Sequence, residues 1–244
     1  MSELTDLERE RYARQLDLPG WRQERLRDAS AIVVGAGALG SPAALYLAAA
    51  GVGRIGVVDP AEVELGDLQR QPLHFTPDLT LPKAQNAAVK LRALNPEVQV
   101  EPYPARLVEL NGEAIVAGAD VVLDCTNDFE SSRAVNDACC SARVPFVTGA
   151  VGGLGGFVLA VAPGETACHR CALPEDPGRA TGALGALAGV VGSLQALEAL
   201  KLLTGLGRAG GELIRIHDDG QTRTAVVPRD GCPSCTATRA PQSV

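Results

Sequence analysis

The sequence predicts an α/β fold, a doubly wound and mostly parallel sheet extended by antiparallel strands at its C-terminal end. Three observations predict it. An apolar run enters a glycine-rich turn and leaves as a helix, strand and helix patterns alternate as far as Ala150, and turn-linked strands follow.

In chain order, residues 4–16 read as a charged helix, and a short helical segment around Trp21 to Arg27 follows the turn Leu18-Pro19-Gly20. The run AIVVGAG from Ala31 is apolar enough for a buried strand, and a helical pattern follows to Ala50. RIGVVD, a helix from Lys83 to Leu94, a strand near Val98 to Tyr103 and a helix near Leu110 to Ala117 continue the alternation. VVLDCT, a helix from Ser131 to Ala142 and PFVTGA complete it. Beyond Ala150, GGFVLAVAP, ELIRIHDD and TRTAVVP read as strands. Val190 to Leu203 reads as an amphipathic helix, with Leu194 and Leu197 opposite Glu198 and Lys201, stopped at Gly205. No repeat or Gly/Ser-rich linker divides the chain, so the expectation is one domain over 1–244. Within it, 1–30 form a helical arm, 31–150 a nucleotide-binding half and 151–244 a second half.

The net charge of -7 gives no basic surface for nucleic acid. The first residues, MSELTDLERERYARQ, lack an apolar signal core, which predicts a cytoplasmic protein. Val144 to Gly164 and Ala180 to Leu197 are uncharged, but glycines interrupt both, so they are expected inside the fold rather than in a membrane.

Gly35, Gly37 and Gly40 stand between strand and helix, in the Rossmann-like arrangement. One glycine permits the bend, one lets backbone approach phosphate, and one lets the helix pack on the strand. Helix N–H groups then face the anion. Asp59 closes the next strand, at the distance where a carboxylate accepts from ribose hydroxyls. These residues predict a nucleotide without saying which.

Cys168, Cys171, Cys232 and Cys235 form two C-x-x-C pairs. The expectation is one closed tetrahedral zinc with four thiolates, hence structural, ahead of two disulfides or a redox pair. His169, between two of these ligands, reads as a turn residue, and Cys125, Cys139 and Cys140 as small buried side chains.

The long segment between Asp59 and Lys83 has little periodicity, and such loops at strand ends usually serve function. Arg70, Lys83 and the pair Asn127-Asp128 all follow strand ends. Singly, Arg70 fits a surface cation, Lys83 an exposed helix start and Asp128 a helix cap. Jointly they suggest cations for a triphosphate and a carboxylate for magnesium.

A resemblance then joins these parts. Arg11-Tyr12-Ala13-Arg14-Gln15, Gly35 to Gly40, Ala50-Gly51-Val52-Gly53, Asp67-Leu68-Gln69-Arg70-Gln71, Pro82-Lys83, Leu123-Asp124-Cys125-Thr126, Gly192 to Glu198 and both C-x-x-C pairs resemble the bacterial ThiF/MoeB/HesA family, relatives of the ubiquitin-activating enzymes. The resemblance implies ATP- and magnesium-dependent adenylation of the C-terminal glycine carboxylate of a small ubiquitin-like sulfur carrier ending in Gly-Gly. It implies that Asp59 holds ribose, that Gln69 lies at the nucleotide, and that Arg70 and Lys83 hold phosphates. Arg14 would reach the triphosphate of the neighbouring subunit of a homodimer. Two departures stand out. Asn127-Asp128 replaces the family's common Asp-Asn, and Asp67 replaces a common Asn, so Asp67 or Asp128 is expected to supply the charge for magnesium. No cysteine occurs around Gly178 and Arg179, where some relatives bond the carrier covalently, so no enzyme thioester is expected. The same Gly/Pro/Ala-rich loop suits a mobile cover over the carrier tail. Two rival readings share the glycine turn: a nicotinamide-dependent oxidoreductase, and a nucleotide-binding scaffold that has lost turnover through Asn127.

Overall fold

The central strands form where short apolar runs bury both faces. In β1 (Ser30–Val34), Val33 faces one side of the sheet and Val34 the other, and both are buried. β2 (Arg54–Val58), β3 (Gln99–Tyr103), β4 (Val121–Asp124), β5 (Phe146–Gly152), β6 (Gly155–Val161), β7 (Glu212–His217) and β8 (Gly220–Ala225) complete one sheet, in the order β3-β2-β1-β4-β5-β6-β7-β8. β3 to β5 pair in parallel and β5 to β8 antiparallel, as the sequence predicts. The computed structural model describes residues 3–176, 182–206 and 210–238.

The helices are α1 (Asp6–Arg11), α2 (Ala13–Leu16), α3 (Gln23–Asp28), α4 (Gly40–Ala50), α5 (Lys83–Leu94), α6 (Glu109–Val116), α7 (Phe129–Ala142), α8 (His169–Ala172), α9 (Gly185–Thr204) and α10 (Pro233–Thr238). Leu47, Leu91, Ala196 and Ala199 of α4, α5 and α9 pack with Val33, Val57 and Leu123 in one core. Val135 and Cys139 of α7 pack with Val34, Val122, Phe146 and Leu159 in the other. After β3 the chain returns to place β4 on the other side of β1. The C-terminal ends of β1 and β4 therefore open at the point where strand order reverses, where ligands bind in such sheets.

Two elements differ from expectation. The N-terminal helix is split at Tyr12, which has left helical geometry and is buried, its hydroxyl accepting from Asn95 Nδ2 at 2.8 Å. α9 begins five residues earlier than its polarity pattern suggests, and its faces are not those expected. Glu198 is 3% exposed, paired with Lys201 at 2.7 Å, while Leu197 is 52% exposed. Close packing decides this: a Cβ on Gly192 would lie 2.3 Å from the Leu39 carbonyl, so the glycine side must face α4. Among the described helices, α9 alone is long and apolar enough to cross a bilayer, and here it lies against α4 and β4 to β6.

Candidate functional site

The glycine turn leaves β1 with each glycine set apart by geometry. Gly35 has φ 97°, and a Cβ there would lie 2.6 Å from the Cys125 carbonyl. A Cβ on Gly40 would lie 1.8 Å from the Gly35 carbonyl, so α4 reaches the strand only because that position is bare. Gly37 differs: its nearest neighbour would be Gln71 Nε2, at 3.7 Å, which leaves room for a phosphate against the backbone.

Two side chains hold the peptide of Ala36 inside this turn. Asp59 Oδ2 accepts from the Ala36 N–H and Oδ1 from the Ala61 N–H, each at 2.8 Å. His74 Nε2 donates to the Ala36 carbonyl at 3.0 Å, because its Nδ1 accepts from Asn86 Nδ2 at 2.8 Å. Burial pushes the His74 imidazole down, outweighing the opposite pull of the Ala36 carbonyl, so the ring is neutral. The turn is thus fixed from both sides.

The long loop after Asp59 is ordered by a bridge between Glu62 and Pro82 and by the Lys83 N–H donating to the Ala61 carbonyl at 2.8 Å. Lys83 opens α5 and is buried. Its ammonium lies 2.8 Å from Asp67 Oδ2. Asp67 Oδ1 meets Arg70 Nη2 at 3.1 Å and accepts from Gln71 Nε2 at 2.8 Å, and the Glu64 N–H donates to Oδ2 at 3.1 Å. Burial pushes the Asp67 carboxyl up, but the hydrogen bonds from Lys83 and Glu64 and the two cationic charges leave it below the ordinary carboxylate value. The Gln71 amide nitrogen is fixed by this ionised partner, and its Oε1 is buried with no hydrogen-bond partner among the described residues. Gln69 is exposed, and its carbonyl abuts Gly185, where a Cβ would lie 2.2 Å away.

At the end of β4, Asp124 is fully buried and accepts from the Thr126 N–H, Thr126 Oγ1 and Thr148 Oγ1. Gln195 of α9 donates to the Asp124 carbonyl at 2.7 Å. Asn127 is exposed. Asp128 caps α7, its two oxygens accepting from the Ser131 N–H and Ser131 Oγ at 2.8 Å each, with Arg106 at 4.0 Å.

The fold therefore gathers Gly35, Gly37, Gly40, Asp59, Asp67, Arg70 and Lys83 around one turn, with Asn127 and Asp128 on the neighbouring strand end. Arg14 stands apart. Its side chain is 99% exposed, and adjacent Gln15 donates to the Ala50 carbonyl, at the end of α4 away from the glycine turn. α4 separates these ends by about 16 Å, at 1.5 Å per residue. His74, Gln71, Asp124 and Gln195 were not singled out from the sequence as parts of this site. For His74 and Gln195 the partners are backbone groups or residues distant in sequence, a relation with no local spacing, whereas Gln71 and Asp124 bond to Asp67 and Thr126 nearby and are set in the site by burial.

The four cysteines of the C-x-x-C pairs converge. Cys168 Sγ lies 3.9 Å from Cys171, 3.7 Å from Cys232 and 3.4 Å from Cys235, and Cys171 lies 3.4 Å from Cys235. Sulfurs around a tetrahedral zinc, with Zn–S of about 2.3 Å, stand about 3.8 Å apart. No disulfide joins these cysteines, and their four sulfurs lie within 4.8 Å of one another, so this donor set fits one tetrahedral zinc. α7 carries the corner: Asp137 accepts from Arg170 Nε and Ser234 Oγ at 2.7 Å each, and Asn136 accepts from the His169 N–H at 3.0 Å. His169 is not a turn residue. It opens α8 and is buried with its ring centroid 5.6 Å from that of Phe129, because the cysteines on both sides face inward and take it with them. The cysteine-free segment around Gly178 and Arg179, with its expected cover role, falls in 177–181, outside the described residues.

The model of the ThiF family matches residues 12–240. The chain is 40% identical over 245 residues to the sulfur carrier protein ThiS adenylyltransferase of Escherichia coli (strain K12), covering 94% of this chain and 96% of that one. It is 40% identical over 220 residues to the SAMP-activating enzyme E1 of Haloferax volcanii, covering 87% and 81%. The crystal structure of E. coli MccB with ATP superposes with a TM-score of 0.78 at 20% identity, over 87% of this chain and 68% of that one, a likeness of fold.

Proposed function

The chain belongs to the ThiF family, and on that premise we propose that it is an ATP-dependent adenylyltransferase. Its substrate is the C-terminal glycine carboxylate of a small ubiquitin-like sulfur carrier ending in Gly-Gly. The observation that supports this most is the cation pair of buried Lys83 and partly exposed Arg70, both held by buried Asp67 beside an open glycine turn. A dinucleotide needs the turn and Asp59 but has no use for that pair, which tells against the nicotinamide reading.

In this reading the turn at Gly37 and the start of α4 receive phosphate, Asp59 offers its remaining lone pairs to ribose, and Gln69 flanks the nucleotide. Arg70 and Lys83 hold the β- and γ-phosphates. A carboxylate oxygen of the carrier attacks the α-phosphorus, the bond to the bridging oxygen breaks, and pyrophosphate leaves with that electron pair. The pre-placed cations stabilise the added negative charge without reorganising. No protein nucleophile is required, and the intermediate is the acyl-adenylate with no enzyme thioester.

Magnesium would be held by Asp128, with the Asn127 amide oxygen beside it, both hard oxygen donors at the strand end; bound, it screens phosphate charge. Asp67 is the weaker candidate of the two, since its oxygens already serve Lys83, Arg70, Gln71 and the Glu64 N–H. Zinc at Cys168, Cys171, Cys232 and Cys235 would be structural. Arg14, exposed and far along α4 from its own turn, is suited to act in the site of a second copy. The exposed apolar residues Tyr46 of α4 and Val190 and Leu197 of α9 support such a homodimer. We place the protein in the cytoplasm.

The test is ATP–pyrophosphate exchange with candidate carriers. Exchange that requires one carrier and vanishes when its terminal glycine is removed supports the proposal. ATP binding without exchange for any carrier favours the scaffold reading, which Asn127 motivates. A thiol-sensitive carrier adduct on a cysteine, seen by mass spectrometry, overturns the absence of a thioester.

A further inference from the structure

The phosphate cluster contains a negative charge where its chemistry calls for positive ones. Asp67 takes one hydrogen bond or ion pair from each of Lys83, Arg70 and Gln71. These donors stand at the phosphate turn, and the Gln71 amide nitrogen is the group nearest to where a Gly37 side chain would be. A carboxylate that collects an ammonium, a guanidinium and an amide N–H makes the contacts that a phosphate oxygen would make. Its burial makes this grip strong, because little water competes for the same donors.

We propose that Asp67 is a resident anion of the phosphate site, a positioning residue that holds Arg70, Gln71 and Lys83 ready and competes with phosphate for their donors. The inference rests on the adenylation reading. It has two consequences. The cations are pre-placed, and the charge of the trio Asp67, Arg70 and Lys83 is cut from two positive to one. ATP and pyrophosphate therefore bind more weakly than two bare cations would allow, and pyrophosphate leaves more readily after adenylate formation. The unpartnered Gln71 Oε1 fits this picture, since the demand of Asp67 for a donor dictates which end of the amide faces inward. An amide at position 67 keeps the shape and an acceptor for Lys83 while removing the charge.

The experiment is calorimetric titration of the zinc-loaded full chain with inorganic pyrophosphate and with magnesium ATP, at low and high salt. Wild type is compared with D67N, D67A and D67E. Both neutral variants are expected to bind pyrophosphate about tenfold tighter, the scale of one charge-assisted hydrogen bond. Their affinity should fall more steeply with salt, and their steady-state turnover should drop by a larger factor than adenylate formation in a single turnover. D67E, which retains the charge on a longer side chain, should show no tightening of pyrophosphate binding. A purely structural role would lower thermal stability and weaken binding together. Wild-type-like or weaker pyrophosphate affinity in both D67N and D67A overturns the inference and leaves the adenylation reading standing. Failure of wild type itself to bind ATP or pyrophosphate overturns both.

Discussion

Two carboxylates organise the two chemically dense regions of this molecule, and they do it in different solvents. At the glycine turn Asp67 gathers Lys83, Arg70 and Gln71 with its side chain only 7% exposed. At the cysteine corner Asp137 gathers Arg170, Ser234 and Asn136, with its side chain 42% exposed. Burial raises both carboxyls, and their partners bring both below the ordinary value, Lys83 first for Asp67 and Arg170 first for Asp137. The same contacts differ in worth. Water screens the Asp137 pair, so it orients α8 and α10 more than it stabilises them. At Asp67 the screening is slight, so losing a partner leaves a buried charge uncompensated.

The largest effect is expected at the cysteine corner, where the metal and not Asp137 would supply the energy. Structural zinc is worth on the order of 10 kcal/mol in small sites. Cys168→Ser should remove zinc from the purified protein and release α10 from α7. Metal content by atomic absorption and protease sensitivity near Cys232 check this. A Cys168→Ser protein that retained one zinc per chain and resisted protease would refute a four-thiolate site.

At the glycine turn the next effect is smaller in stability and larger in activity. Lys83→Ala should cut pyrophosphate exchange by about 10²- to 10³-fold, the cost of removing one pre-placed donor from a reacting phosphate. It should also destabilise the fold by about 3 kcal/mol, because Asp67 would keep its charge in a dry place with Arg70 as its remaining cation. Lys90→Ala on the same helix makes the comparison sharp. Lys90 pairs with Asp78 and lies over the Phe75 ring, at 3.5 Å from its centroid, outside the Asp67 cluster. Equal losses of exchange in both variants would mean that the Asp67 cluster is not special.

The contrast also explains what could be read from the sequence. Gly35 to Gly40, Asp59, Lys83 at the first position of α5 and the C-x-x-C pairs each have a local pattern with one dominant physical solution. The strand alternation and the turn-linked strands beyond Ala150 have the same character, so the mostly parallel sheet and its antiparallel extension followed from them, while the strand order did not. Glu198, His169 and Tyr12 did not follow, for a shared reason. Each is polar or amphipathic and buried against a neighbour distant in sequence: α4 through Gly192, Phe129, and Asn95 respectively. His74 is the clearest case at the site, since its partners Ala36 and Asn86 lie 38 and 12 residues away.

His74 provides the smallest of these predicted effects and the one with a defined pH signature. Its imidazole is held below the unfolded value of 6.5, first by burial and then by the charges of Lys83 and Lys90, against the pull of the Ala36 carbonyl and Asp59. The unfolded chain therefore binds a proton that the folded one refuses. The neutral ring's contribution is fully present above pH 6.5 and is lost as pH falls through the lower folded value. One such group imposes a slope of at most about 1.4 kcal/mol per pH unit. Urea unfolding of wild type and His74→Gln at pH 7.5 and 5.5 isolates it, because proton release from zinc thiolates is common to both proteins and cancels in the difference. Asp67 does not interfere, since its depressed carboxyl contributes a loss only below its ordinary value of 3.8. Wild type should lose more stability than His74→Gln between the two pH values. A protonated His74 would have no acceptor left for Asn86, so ATP affinity should fall over the same interval in wild type and less in the variant.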